Sequence, residues 1–227
     1  MGAETLIKGF IEASFLDWPG RVASVVFLPS CNLRCPYCHN SGLVLTPDNF
    51  DEISIDGILS GIEENAGFVD GVVVTGGEPT VSGGLFELLE RFRLMGMPVK
   101  LDTNGTRPEV IENIIENGLV SAVAMDVKAP LTAEEYSRAA GREVDVTAIK
   151  ESINLLLNAR AEVFFRTTVV PVLHDEGAIG RIMQEIPGHS LILQNFRPDG
   201  ALDPQYRKML PFEPEDFEKL KKIAIEK

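Results

Sequence analysis

Cysteine is scarce in this chain of 227 residues: there are three, Cys31, Cys35 and Cys38, all inside one short loop. Such a set cannot build a framework of structural disulfides, and a clustered odd number in a reducing compartment points to metal binding or catalysis. No run approaches the roughly 18 apolar residues of a membrane span. The opening MGAETLIKGFIEASFLDWPG has no basic start followed by an apolar stretch, so no export signal is expected and the location expected is cytoplasmic. The first residues also lack the Ser or Thr of the myristoylation pattern, which leaves no lipid anchor to expect. Basic residues are in deficit: 21 Lys and Arg face 34 Asp and Glu, for a formal net charge of −13. That balance argues against non-specific binding to nucleic acid or anionic membranes. Low-complexity segments, Ser/Gly linkers and sequence repeats are absent too. One domain over 1–227 is expected, with its core at about 20–197 and a C-terminal helical extension at about 213–227.

What is present is a repeated alternation. Short β-branched runs bounded by turn residues lie at 23–29 (ASVVFLP), 71–76 (GVVVTG), 98–103 (PVKLDT), 121–127 (SAVAMDV), 162–170 (EVFFRTTVV) and 190–196 (SLILQNF), as buried parallel strands do. Between them Leu85, Leu88, Leu89 and Phe92, then Ile111, Ile114 and Ile115, then Ile149, Ile153, Leu156 and Leu157 recur at the spacing of one helical face. Thr132 with Glu135 fits a capping box, and Gly96 and Gly118 stand where left-handed helix caps are needed. The class is therefore α/β with parallel strands, as an open doubly wound sheet or a partial barrel. In both, the site forms at the carboxyl ends of the strands. Polar loops collect there: the cysteine loop, TGGEPT, LDTNG, MDVKAP and QNFRPDG.

The loop CNLRCPYCHN, 31–40, allows several chemistries. Cys35 and Cys38 alone make the dithiol of a glutaredoxin-like redox site. Cys35 to His39 spells the attachment string of a c-type haem. Adding Cys31 gives C-x3-C-x2-C, three thiolates for an iron-sulfur cluster. Haem attachment calls for a compartment outside the cytosol and leaves Cys31 unused. The dithiol leaves both Cys31 and the polar loops without a role. A closed zinc site needs a fourth ligand, and His39, adjacent to Cys38, is badly placed for one. Three thiolates on a four-iron cubane leave one iron open to a ligand carrying an amino group and a carboxylate.

With Tyr37 just before the last cysteine, this loop resembles that of the radical S-adenosylmethionine superfamily. CPYCHN, TGGEP, LDTNG and MDVKAP, with SFLDWPG ahead of them, resemble more narrowly the glycyl-radical-enzyme activases, above all the short activating proteins of anaerobic ribonucleotide reductase. The resemblance implies a partial (β/α)6 TIM-type barrel, one 4Fe-4S cluster on Cys31, Cys35 and Cys38, and S-adenosylmethionine. It implies that Tyr37 lies against the adenine, that Gly76, Gly77 and Glu78 receive the methionyl amino group, and that Asp126 and Lys128 lie near the cofactor, with Lys128 toward its carboxylate. Asp102, Thr103 and Asn104 would arrange the cofactor, and Asp102 with Asp126 would hold a monovalent cation. No side chain would act as acid or base; the cluster and S-adenosylmethionine carry the chemistry. The implied partners are a glycyl-radical enzyme and a low-potential electron donor such as flavodoxin or ferredoxin.

Residue types add to this. Asp126 and Lys128 alternate and so face one side of a strand end. Arg166, inside an apolar run, must be paired, and it is taken as a site residue. His174 and His189 read as surface loop residues. Some relatives place a His near the end of the sixth strand, where this chain has Gln194, Asn195, Phe196 and Arg197, so a cofactor contact there is not expected. Two alternatives remain: radical modification of a small molecule or peptide, and a dithiol redox protein.

Overall fold

The computed structural model describes residues 6–225. Residues 1–5 and 226–227, which include the glycine weighed for myristoylation and both ends of the expected domain, lie outside the described residues. The chain builds one sheet from β1 (Gly9–Ser14), β2 (Ala23–Leu28), β3 (Gly71–Gly76), β4 (Val99–Thr103), β5 (Ala122–Asp126), β6 (Glu162–Val169) and β7 (Leu191–Asn195), ordered in space as in sequence. β2 to β7 run parallel and fall within one residue of the six apolar runs. β1, unanticipated, adds antiparallel to β2.

This order resolves what periodicity left open. Each crossover from β2 to β7 advances the same way, so right-handed connections put their helices on one face; a doubly wound sheet would reverse direction midway. The other face curls inward as a partial barrel, and β1 and β7 remain separate edges.

The outer layer is α1 (Ser41–Leu45), α2 (Ile55–Glu64), α3 (Leu85–Leu94), α4 (Pro108–Glu116), α5 (Ala133–Ala140), α6 (Val146–Leu157), α7 (Glu176–Glu185) and α8 (Pro214–Ile223). Its faces are those the spacing marks out. Leu85, Leu88, Leu89 and Phe92 of α3 bury against Val72 and Val74 of β3, and Ile149, Ile153 and Leu156 of α6 join the core that holds Val123 and Phe165. Each such side chain contributes about 1.5–3 kcal/mol of transfer free energy. Thr132 caps α5 as expected, with the Glu135 amide donating to Thr132 Oγ1 at 3.2 Å, but the reciprocal bond of a capping box is replaced: Thr132 N donates to Pro130 O and Glu135 Oε2 accepts from the Thr132 hydroxyl. Gly96 and Gly118 take positive φ, 73° and 62°. The expected C-terminal helix is α8, anchored by buried Leu220.

Strand alternation sends a second set of side chains to the concave face. At its amino end Trp18, fully buried, packs with Val25, Val73 and Ala122. The indole leans on Gly71, where a Cβ would come within 2.8 Å of the ring. Its Nε1 donates to Glu162 at 3.4 Å, and the Arg21 guanidinium lies 4.7 Å from the ring centroid. This apolar plug closes the lower half of the concave face and leaves the upper half to polar side chains.

Candidate functional site

At the carboxyl ends of the strands a cavity of about 870 Å³ opens. Every residue that sequence reasoning assigned to the site lines it: Cys31, Cys35, Cys38, Tyr37, Gly76, Gly77, Glu78, Asp102, Thr103, Asn104, Asp126, Lys128 and Arg166.

One wall is the cysteine loop, which leaves β2 through Ser30, the sole non-glycine residue with positive φ among the described residues. The loop is held mainly through backbone. Gly77 N donates to Leu28 O and Glu78 N to Ser30 O, both at 2.8 Å. A Cβ on Gly77 would lie 1.7 Å from Ser30 O, and one on Gly76 2.2 Å from Leu28 O. The glycine pair is thus required by contact between two loops, a nearer cause than the expected approach to a ligand. On the other side Arg34 N donates to Ala140 O at 2.9 Å, and Gly141, φ 69°, leaves no room for a Cβ beside Arg34 O. Arg34 Nη1 donates to Cys31 O, Arg142 Nη1 to Asn32 O, and Asn104 Nδ2 to Asn32 Oδ1.

Glu78 proves to be an organiser of this wall. Its buried carboxylate accepts from Thr80 N and Oγ1, from Thr103 Oγ1 at 2.8 Å and from Asn104 N at 2.6 Å. Burial raises its pKa, against the opposing pull of those bonds. All its carboxylate bonds run to protein donors, so it ties the TGGEP loop to LDTNG.

The floor is a chain of alternating charges across β4, β5 and β6. Lys100 Nζ pairs with Asp102 Oδ1; Asp102 Oδ2 accepts from Arg166 Nη1 at 3.0 Å; Arg166 Nε donates to Asp126 Oδ1 at 2.9 Å; and Asp126 Oδ2 accepts from Lys128 Nζ at 2.9 Å. Burial would raise the Asp126 carboxyl, but Arg166 and then Lys128 overcome it and hold it well below the usual carboxylate range. Burial would lower Lys128, and Asp126 outweighs it. The monovalent cation expected at Asp102 and Asp126 finds no support here: Arg166 lies between those carboxylates and bonds to both.

One further expectation changes. His174 is not a surface residue but 2% exposed. Its Nδ1 accepts from Val170 N at 3.0 Å and its Nε2 lies 2.9 Å from Lys128 O, which fixes the neutral Nε2-H tautomer and braces the strand end carrying Lys128. Gln194, Asn195, Phe196 and Arg197 do line the cavity, and the Asn195 amide clasps Phe212 through two bonds. His189 remains partly exposed and packs edge-on against Phe165.

The donor set fits a cluster with a ligand beside it. Three thiols share one cavity wall, and the Tyr37 hydroxyl is, among the described residues, the one buried side-chain polar atom without a hydrogen-bond partner. No three His, Cys, Asp or Glu side chains among the described residues converge on a single ion; cluster thiolates need not, because each takes a different iron. The redox-dithiol alternative fares worse. It needs a depressed thiolate pKa, whereas burial pushes Cys35 up to about 12 and raises Cys31 and Cys38 as well.

A partial barrel whose cysteine loop faces a charged strand-end cavity defines a class of cluster-binding α/β enzymes. The model of the radical SAM superfamily matches residues 25–179, and this chain belongs to that superfamily. It is 34% identical, across 97% of its own length and 92% of the other, to a candidate glycyl-radical enzyme activating enzyme of Methanocaldococcus jannaschii. It is also 33% identical to the 7-carboxy-7-deazaguanine synthase of Methanopyrus kandleri, over 49% of this chain and 51% of that one. The solved structure of TYW1 with a lysine-pyruvate adduct shares the fold at 18% identity, with a TM-score of 0.63 over 89% of this chain and 72% of that one. Membership implies a 4Fe-4S cluster and S-adenosylmethionine.

Proposed function

We propose that this radical SAM enzyme is an activase that installs a glycyl radical on a partner enzyme of the anaerobic ribonucleotide reductase type. The observation that carries the assignment is similarity along nearly the whole chain, 97% of it, to a candidate activating enzyme of the same length class. Relatives with small-molecule names match at lower identity or over less of both chains: a probable GTP 3',8-cyclase of Thermococcus kodakarensis is 27% identical over 86% of this chain and 64% of its own, and the deazaguanine synthase matches about half of each.

Cys31, Cys35 and Cys38 would hold the cluster as thiolates, and Tyr37 would place its ring against the adenine. Lys128, fixed by Asp126, would offer its remaining N–H donors to the methionyl carboxylate. When bound, a 4Fe-4S cluster with S-adenosylmethionine would supply one-electron reductive cleavage of the carbon-sulfur bond, and with it a carbon radical able to take the α-hydrogen of a glycine. The chain's own part is to bind, orient and keep competing hydrogen donors away. The cavity suits a partner loop because the sheet stays open between β1 and β7, and Leu16, 92% exposed, stands on the cavity lining. A flavodoxin or ferredoxin would deliver the electron.

The test mixes the reduced holoprotein, S-adenosylmethionine and a glycyl-radical enzyme from the same organism. A glycine-centred doublet in electron paramagnetic resonance that collapses when the partner's glycine is α-deuterated is the expected result. Cofactor cleavage without such a doublet on any partner would move the assignment to a small-molecule or peptide substrate.

A further inference from the structure

Lys100 is the charged residue on the concave face that the cofactor chemistry leaves unexplained. In the parallel register it stands beside Val73 and Ala122, members of the apolar plug under Trp18. It is 1% exposed, and its ammonium is bonded to Asp102 alone among the contacts seen. A lysine in an apolar layer is costly to desolvate and persists only with compensation. What it brings is charge. Without Lys100 the floor holds two carboxylates, Asp102 and Asp126, against two cations, Arg166 and Lys128; with it the floor carries a surplus of one positive charge.

We infer that Lys100 is a positioning residue, a built-in counter-cation that keeps Arg166 shared between Asp102 and Asp126 and so leaves Lys128 available to a ligand carboxylate. The geometry gives the route. Asp102 uses Oδ1 for Lys100 and Oδ2 for Arg166. With Oδ1 stripped of its partner, the buried Asp102 draws the guanidinium toward itself and away from Asp126. Asp126, losing Arg166, closes on Lys128, the one other cation that it holds. The cation at the cavity is then neutralised by its neighbour when an anionic ligand arrives. Lys100 itself does not line the cavity.

The inference rests on the proposed binding of S-adenosylmethionine, and the test separates the two. Cofactor affinity is measured by calorimetry, and iron per chain by assay, on holoprotein carrying Lys100→Met or Lys100→Ala. The expectation is unchanged iron with about tenfold weaker S-adenosylmethionine binding, one decade for about 1.4 kcal/mol. In Lys100→Ala, ammonium ion should recover most of that loss and bulky choline should not. Binding within twofold of the native protein, loss of iron together with affinity, or failure of ammonium to restore binding would each overturn the role. If neither single variant folds, Lys100→Met/Asp102→Asn removes the pair together. It should fold and bind within about threefold of the native protein, because Asp102 no longer draws Arg166 from Asp126 and the surplus positive charge is kept; tenfold weaker binding there would overturn the inference. A native holoprotein that does not bind S-adenosylmethionine at all would instead remove the functional proposal.

Discussion

The two halves of the concave face are built from the same strands and by opposite rules. At the amino ends Trp18, Val25, Val73 and Ala122 form a fully buried apolar cluster. At the carboxyl ends of the same sheet, Asp102, Asp126, Lys128 and Arg166 face an open cavity. The lower half is held by shape and the upper half by charge and by backbone contact between loops. Stability and chemistry are thus separated along each strand, and damage to one half should leave the other measurable.

The largest effect expected is at the cysteine loop. Replacing Cys31, Cys35 or Cys38 by Ala should remove most of the iron from anaerobically reconstituted protein while shifting the denaturation midpoint of the apoprotein little. Full iron in Cys31→Ala beside loss in Cys35→Ala would break the three-ligand assignment. Trp18→Ala should do the reverse, lowering stability by about 3–5 kcal/mol in denaturant titrations as a large buried aromatic is lost. The folded fraction should still take up iron, and a variant that keeps its stability but loses its cluster would contradict the division.

Gly77→Val tests the backbone contact between loops that holds the upper half. Its Cβ would collide with Ser30 O, a backbone atom that cannot step aside, so the cysteine loop must move and iron retention should fall together with cofactor cleavage. Lys128→Ala should spare iron and stability and weaken S-adenosylmethionine binding by about 1.5–3 kcal/mol, the usual value of a hydrogen bond to a charged group. Unchanged affinity there would return Lys128 to a purely structural ion pair.

The smallest effect concerns His174. Burial lowers its pKa from the ordinary 6.5, so the folded chain resists a proton that the unfolded chain accepts. Stability is whole above that ordinary value and declines as pH drops below it, by at most about 1.4 kcal/mol per pH unit. The decline ends once the pH passes below the folded pKa. His174→Gln, which has no such proton to take up, should flatten that decline in urea titrations from about pH 7 to 5.

The six parallel strands were legible because short β-branched runs bounded by turn residues follow a local rule, and polar loops at their ends marked the cavity; the roles of individual site residues came from family likeness. What escaped depends on contacts distant in sequence. β1, half-exposed and paired on one side only, has too little apolar signal to separate it from a loop. The Trp18 plug is a packing event between the WPG turn and strands far along the chain. His174 sits in a segment that looks like a polar loop, and only its two ring bonds make burial tolerable. Lys100 did leave a trace: in VKLD it stands two residues before Asp102 and so on the same face. The usual exposure of lysine hides it. For Asp102 and Asp126 family likeness supplied the pair, but not their link through Arg166, which lies on a third strand.

The central claim is that the cysteine wall and the charged floor serve one bound ligand. The most direct measurement is the electron paramagnetic resonance of the reduced cluster with and without S-adenosylmethionine, in the native protein and in Lys128→Ala. The native signal should change shape on addition of S-adenosylmethionine, and the variant should need a higher concentration for the same change. A native cluster signal indifferent to S-adenosylmethionine would contradict the account.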